Sequence, residues 1–250
     1  MCATCGCSGD TIFETNEHDH HEHDHEHGHS HSHSGTRTVT LEQAVLARND
    51  ALAERNRKWL AERSILAVNL MSSPGAGKTT LLERTIRELG AELQVSVIEG
   101  DQETVLDADR IRATGAPAVQ INTGSGCHLD AKMLAGGLET LEPPVGSVVL
   151  IENVGNLVCP ALFDLGEQAR VVITSVTEGA EKPRKYPQMF RAADLVLLNK
   201  IDLLPYVQFD VDDFLDGARR ANPGVEVLQL SATTGEGIAD WYGWLRARLP

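Results

Sequence analysis

A mostly aliphatic run, Ile65 to Met71, passes directly into Ser72-Ser-Pro-Gly-Ala-Gly77-Lys78-Thr79-Thr80 and then into a segment with Leu81, Leu82, Ile86 and Leu89 on one helical face. Strand, small-residue loop and helix in that order leave few folds open, because the loop must reverse the chain between a buried strand and the helix that covers it. Further short aliphatic or β-branched runs lie near 94–99, 118–121, 147–151, 170–176, 194–198 and 225–230, separated by segments of helical period. Strand alternating with helix predicts an α/β fold with a mostly parallel sheet covered on both faces. With 250 residues, 42% of them hydrophobic, the chain can build one sizeable core.

The loop's composition states its chemistry. Small residues let successive backbone N–H groups curl around phosphate oxygens, and the helix N-terminus behind them adds partial positive charge. Gly75, Ala76, Gly77 and Thr80 form the expected cradle, Lys78 is placed to reach the β- and γ-phosphates, and the Thr79 hydroxyl to ligate Mg²⁺. The fold expected is therefore that of a P-loop NTPase. Asn199-Lys200-Ile201-Asp202, at the end of the run from Asp194 to Leu198, reads as a base-binding loop that makes the domain G-domain-like, or alone as a plain turn. A carboxylate at Asp202 could accept from N1–H and the 2-amino group of guanine, whereas adenine has no matching donor pair. Ser231-Ala232-Thr233 closes another run, where the Ala232 N–H could meet guanine O6.

Two other strand ends carry acids. Asp101 follows Val95-Ser-Val-Ile-Glu-Gly100, and Glu152 follows Ser147-Val-Val-Leu-Ile151, so both carboxylates are expected near Mg²⁺. Glu152-Asn-Val-Gly155-Asn156 has the acidic-x-x-Gly form of a nucleotide switch, with the Gly155 N–H available to a γ-phosphate. Asn156 stands where signalling GTPases put a water-orienting Gln, so hydrolysis is expected to be slow without help.

Residues 1–35 differ in kind from 36–250. They hold nine of the ten histidines (His18, His20, His21, His23, His25, His27, His29, His31, His33), seven carboxylates and no Lys or Arg, and read as a disordered metal-binding tail. A helix is expected over about 40–62, opened by a capping box at Thr40-Leu-Glu-Gln43. The net charge of −14 argues against nucleic acid. No apolar stretch is long enough to span a membrane and no signal peptide is present, so a cytoplasmic protein is expected.

Five cysteines without an export signal point to metal or thiol chemistry rather than a disulfide framework. Cys2, Cys5 and Cys7, with a free amine if Met1 is removed, form a set that suits square-planar Ni²⁺, although Zn²⁺ or redox use stays open. The histidines could hold several borderline divalent ions. Inside the domain, Cys127, His128 and Cys159 supply three ligands, one on the presumed switch, leaving a fourth position to water or to a second subunit. Trp241, Tyr242 and Trp244 read as a helix face packed on the sheet, with a docking surface as the alternative.

Together with Glu99-Gly-Asp101, Gly126-Cys-His128, Glu152-Asn-Val-Gly-Asn156 and Glu181-Lys-Pro-Arg-Lys-Tyr-Pro187, these motifs make the chain resemble the HypB family of nickel-incorporation GTPases over essentially its full length. The neighbouring urease accessory GTPases typically have Cys-Pro-His where this chain has Cys127-His128, and they lack the N-terminal triple cysteine. What the resemblance implies is a GTP-hydrolysing metallochaperone that stores Ni²⁺ and delivers it to a [NiFe] hydrogenase large-subunit precursor with a small zinc-containing partner. It further implies a nucleotide- or metal-dependent homodimer, a tighter nickel site at Cys2, Cys5 and Cys7, and a Ni or Zn site at Cys127, His128 and Cys159 on the dimer interface. Outside this resemblance, a P-loop kinase would prefer ATP, a regulatory GTPase would want the missing Gln, and a nickel store would have only a weak GTPase.

Overall fold

The computed structural model describes residues 35–101, 106–124 and 126–250, the side chains of 35–42 and 106–108 excepted. Cys2, Cys5, Cys7 and the nine tail histidines lie outside the described residues. The elements are α1 (Gly35–Glu62), β1 (Leu66–Ser72), α2 (Lys78–Leu89), β2 (Val95–Asp101), α3 (Leu106–Arg112), β3 (Ala118–Asn122), α4 (Ala131–Leu141) and β4 (Val148–Glu152). A 3₁₀ turn at Cys159–Leu162 follows, then β5 (Ala169–Ser175), α5 (Lys182–Lys185), α6 (Pro187–Arg191) and β6 (Leu195–Asn199). After a second 3₁₀ turn, Ile201–Tyr206, come α7 (Val211–Ala221), β7 (Glu226–Gln229) and α8 (Ile238–Arg246).

The strands form one sheet in the order β3-β2-β4-β1-β5-β6-β7, and every neighbouring pair is parallel. β1 and β4 are buried along their whole lengths, as central strands covered on both faces must be. Alternation assigns their side chains. Leu66, Val68, Leu70, Val148 and Leu150 pack with Leu81, Leu82 and Ile86 of α2 and with Trp241 of α8. Ala67, Val149 and Ile151 pack on the other face with Leu60 of α1 and Leu134 and Leu138 of α4, while Met71, Val172 and Val196 meet Phe190 of α6 and Phe214 of α7.

All seven strands stand where the sequence placed them, to within two residues at either end. The leading helix differs: it begins at Gly35 and runs through Thr40, so the capping-box position is helix interior. From Thr36 to Leu41 no Gly or Pro interrupts the backbone, and extending a helix already nucleated costs little. Trp241, Tyr242 and Trp244 are buried, with Trp241 Nε1 donating to Thr85 Oγ1 at 3.0 Å, which makes them a packing face. Among the described residues no helix is long and apolar enough to cross a membrane.

Candidate nucleotide cleft and metal cluster

β1 delivers the chain to the centre of the sheet's C-terminal edge, where ligands of open α/β sheets bind. Gly75 and Gly77 turn it back with φ of 77° and 100°, a region that L side chains rarely adopt. A Cβ on Gly77 would also lie 2.5 Å from Asn199 Nδ2, so that position is closed to a side chain twice over. Gly77→Ala is expected to weaken nucleotide binding about tenfold or more, since backbone strain of this kind costs about 1–3 kcal/mol. Titration with a fluorescent GDP checks this, and an unchanged affinity would mean that the loop yields without loss.

Around this turn the expected groups converge. Gly75, Gly77, Lys78, Thr79, Thr80, Asp101, Glu152, Gly155 and Lys200 line one cleft of about 460 Å³ with Pro74, Arg110 and Val154. Lys78 Nζ donates to Ser72 Oγ at 2.8 Å, and Thr79 Oγ1 donates to Glu152 Oε1 at 2.8 Å. A hydroxyl beside carboxylates is the hard oxygen set that Mg²⁺ takes, so Thr79, Asp101 and Glu152 fit that ion. Gly155 packs against the loop itself: a Cβ there would meet Pro74 at 3.1 Å.

The Asn199–Asp202 loop is tied to the phosphate loop by two side chains. Asn199, 1% exposed, donates from Nδ2 to the Ala76 carbonyl at 2.9 Å, and Lys200 Nζ donates to the Gly75 carbonyl at 2.7 Å. Lys200 itself adopts φ 61°, a strained conformation held by its N–H donating to Asn199 Oδ1 at 2.8 Å. Asp202 Oδ1 is buried and has no hydrogen-bond partner among the described residues. The Ala232 N–H, expected to meet guanine O6, donates to Asn199 Oδ1 at 3.0 Å. One Asn oxygen thus serves two backbone donors and holds the Ser231–Thr233 loop against the Asn199–Asp202 loop. Arg84 fastens the same loop through the Ala232 and Thr233 carbonyls, and Ser231 Oγ accepts from the Thr234 N–H.

The sequence assigned no role to four further residues around the cleft. Glu99 stands in register with Glu152 on the neighbouring strand, and the Glu99-Gly-Asp101 alternation already puts both acids on one face. Arg110 reaches the cleft from α3, 3.3 Å from Thr80 Oγ1 and paired with Glu83 at 3.0 Å. Glu178 accepts from Ser73 Oγ and from the Ser175 N–H. Asn153, directly after Glu152, faces away from the cleft. Arg110 and Glu178 carry no such signal, because Thr80, Glu83 and Ser73 are distant from them in sequence.

At the other end of the segment from Glu152 to Cys159, Cys127, His128 and Cys159 come together with ligand atoms all within 4.8 Å of one another. Cys127 and His128 come from the loop between β3 and α4, and Cys159 opens the 3₁₀ turn after β4. The His128 ring stacks on Phe163 with centroids 3.9 Å apart, which fixes its plane. Burial pushes the His128 pKa down despite the Asp130 carboxylate, keeping the imidazole neutral and its lone pair available. Two thiols and an imidazole are a donor set for Ni²⁺ or Zn²⁺ with one position left over. Asn156 Oδ1 accepts from the Val158 N–H at 2.7 Å, so this side chain shapes the turn toward Cys159.

The profile of the CobW/HypB/UreG nucleotide-binding domain matches residues 66–229. The hydrogenase maturation factor HypB of Azotobacter chroococcum is 56% identical over 210 residues, 84% of this chain and 69% of that protein. The crystal structure of HypB from Archaeoglobus fulgidus superposes with a TM-score of 0.77 at 43% identity, covering 82% of this chain and all of that one. HypB from Helicobacter pylori in complex with nickel superposes with a TM-score of 0.76 at 35% identity, covering 80% and 94%.

Proposed function

The chain belongs to the HypB family of hydrogenase maturation factors, and on that premise we propose that it is a GTP-hydrolysing nickel metallochaperone. It takes up Ni²⁺ as cargo and releases it, with a small zinc-containing partner, to the large-subunit precursor of a [NiFe] hydrogenase in the cytoplasm. The observation that carries this reading is the span from Glu152 to Cys159: its first residue bonds Thr79 in the phosphate cleft and its last is a member of the metal-ligand cluster. A change at the phosphate end therefore has only seven residues to travel.

In this reading Lys78 and the loop N–H groups hold the phosphates, and the Gly155 N–H meets the γ-phosphate when the segment closes. Thr79, Asp101 and Glu152 hold Mg²⁺, which when bound neutralises charge on the phosphate oxygens. Asp202 reads guanine, while Asn199 and Lys200 fix the base loop to the cradle. With Asn156 turned onto Val158, no side chain of the segment is placed as the signalling Gln is, in keeping with slow hydrolysis. Cys127, His128 and Cys159 hold the transferable ion, with Zn²⁺ as its competitor. Val158 and Leu162 flank Cys159 as exposed apolar side chains, which supports a second copy of the chain covering the site and supplying its remaining ligand. Cys2, Cys5, Cys7 and the tail histidines form the nickel reservoir.

Linkage makes the proposal measurable. If nucleotide repositions the 152–159 segment, nickel affinity depends on nucleotide by the same factor that nucleotide affinity depends on nickel, and a tenfold change needs about 1.4 kcal/mol. The test is Ni²⁺ affinity, by competition with a chromophoric chelator, without nucleotide, with Mg-GDP, and with a non-hydrolysable Mg-GTP analogue. A nucleotide-dependent affinity that disappears in Cys159→Ala is the expected result. Equal affinity in all three states would restrict the GTPase cycle to partner docking.

A further inference from the structure

The end of β4 presents two polar residues in succession, and strand alternation sends them to opposite faces of the sheet. Glu152 lies on the α2 face, where it accepts from Thr79. Asn153 lies on the α1/α4 face, 1% exposed. Its Oδ1 accepts from the Leu129 N–H at 3.1 Å, and its Nδ2 donates to Asn69 Oδ1 at 3.2 Å. Leu129 is the residue immediately after Cys127 and His128.

The polar chain continues through the interior. Asn69 Nδ2 donates to Glu167 Oε1 at 3.1 Å, and Glu167 Oε2 accepts from the Leu165 N–H at 2.8 Å. Buried amides keep their partners because an unpaired one is costly. Asn153 therefore moves with β4 only if the Leu129 backbone moves too or a bond is given up. The other end of that loop is fixed to α1, whose Asn49 Oδ1 accepts from the Ala131 N–H at 2.9 Å and whose Asn56 Nδ2 donates to the Ala131 carbonyl at 2.8 Å.

We propose that Asn153 is the positioning residue that couples the phosphate cleft to the metal cluster. A ligand that draws on Glu152 shifts Asn153, and Asn153 shifts Leu129 with the adjoining Cys127 and His128 against the anchor of Asn49 and Asn56. This rests on the reading that nickel affinity depends on nucleotide and adds its route. Cys159 is reached along the chain from Glu152, whereas Cys127 and His128 are reached across the sheet. One strand end thereby addresses all three ligands.

The test uses the full chain carrying Cys2→Ser, Cys5→Ser and Cys7→Ser, so that nickel–thiolate absorption reports on Cys127 and Cys159. Nickel affinity is measured with Mg-GDP and with the Mg-GTP analogue for this parent, for Asn153→Ala and for Asn49→Ala. The parent is expected to differ about tenfold between states. Asn153→Ala should abolish that difference, and Asn49→Ala should lower both affinities in proportion and keep it. If Asn153→Ala also keeps the ratio, the residue is merely structural and the proposal is overturned.

Exchange of the Leu129 amide, followed without nickel, separates this proposal from the one it rests on. Protection should change between the two nucleotide states in the parent and should not in Asn153→Ala. Equal protection in the parent overturns the proposed route even if nickel affinity responds to nucleotide. Altered protection with unchanged nickel affinity overturns the coupling, and with it the nucleotide-linked reading. Asn153→Ser, which keeps a small polar side chain too short to bridge Leu129 and Asn69, gives the same readings should the alanine variant not fold.

Discussion

Asp202→Asn is expected to lower affinity for GDP and GTP by about a hundredfold or more, because a site built to pair with donor groups rejects a mismatch strongly. The carboxylate stands at the end of the base loop with Oδ1 buried and unpartnered among the described residues. Guanine would supply the missing donors from N1–H and its 2-amino group. An Asn in the same place turns one acceptor into a donor, so a donor then faces a donor. Xanthine carries a carbonyl where guanine carries the amine. The same variant should therefore gain affinity for xanthosine nucleotides while it loses guanosine ones. Competition binding of GDP, XDP and ADP to both proteins measures this, and a wild-type preference for ADP would favour a P-loop kinase. Retained GDP affinity in the variant would remove Asp202 from base recognition.

What the sequence disclosed follows from how local each feature is. The phosphate loop is contiguous, and its strand and helix flank it directly, so residues 65–89 could be placed without the rest of the fold. The acids at Asp101 and Glu152 were legible for a related reason: in a parallel sheet every strand ends at the same edge, so a polar residue after an aliphatic run falls near the same cleft. Asn153 was not legible. Its partners Leu129 and Asn69 are 24 and 84 positions away, and its meaning lies in facing the side of the sheet opposite to its neighbour. Period-two alternation alone could have flagged it, as a polar residue continuing the face of Val149 and Ile151. The Ala232 amide was likewise beyond local reading, since its partner Asn199 lies 33 positions away.

Locality also explains the metal cluster. Cys127 and His128 are adjacent, but Cys159 joins them only because β3 and β4 end on the same edge, with the connecting loops folding over one face. Glu167, Asp164 and the asparagines of α1 bind that face together: Arg57 pairs with Asp164 at 2.6 Å and Arg170 Nε with Glu167 at 2.7 Å. Burial works against the Asp164 charge, yet the Gly166 N–H and the Arg57 and Arg170 guanidinium groups hold its pKa below the usual range. The polar scaffold under the cluster is thus charged and fully paired. It gives the ligands a fixed support on one side and the β4 strand end on the other.

From that arrangement the second large effect follows. In the full chain with Cys2, Cys5 and Cys7 replaced by Ser, Cys159→Ser is expected to lower Ni²⁺ affinity at the domain site by about a hundredfold or more. By analogy with structural Zn²⁺ sites of four thiolate and imidazole ligands, whose apparent binding energies are about 10–16 kcal/mol, each donor is worth about 3 kcal/mol. A serine hydroxyl is a poor replacement, since it neither ionises at neutral pH nor offers a soft donor. Cys127→Ser should match it. His128→Ala should do the same and in addition leave the Phe163 ring uncovered. None of these side chains lines the phosphate cleft, so GTP binding should persist in all three, and a chelator titration beside a nucleotide titration separates the two functions. If Cys159→Ser left nickel affinity intact, the domain ion would have to be held elsewhere, and the short path from Glu152 to Cys159 would carry no signal to it.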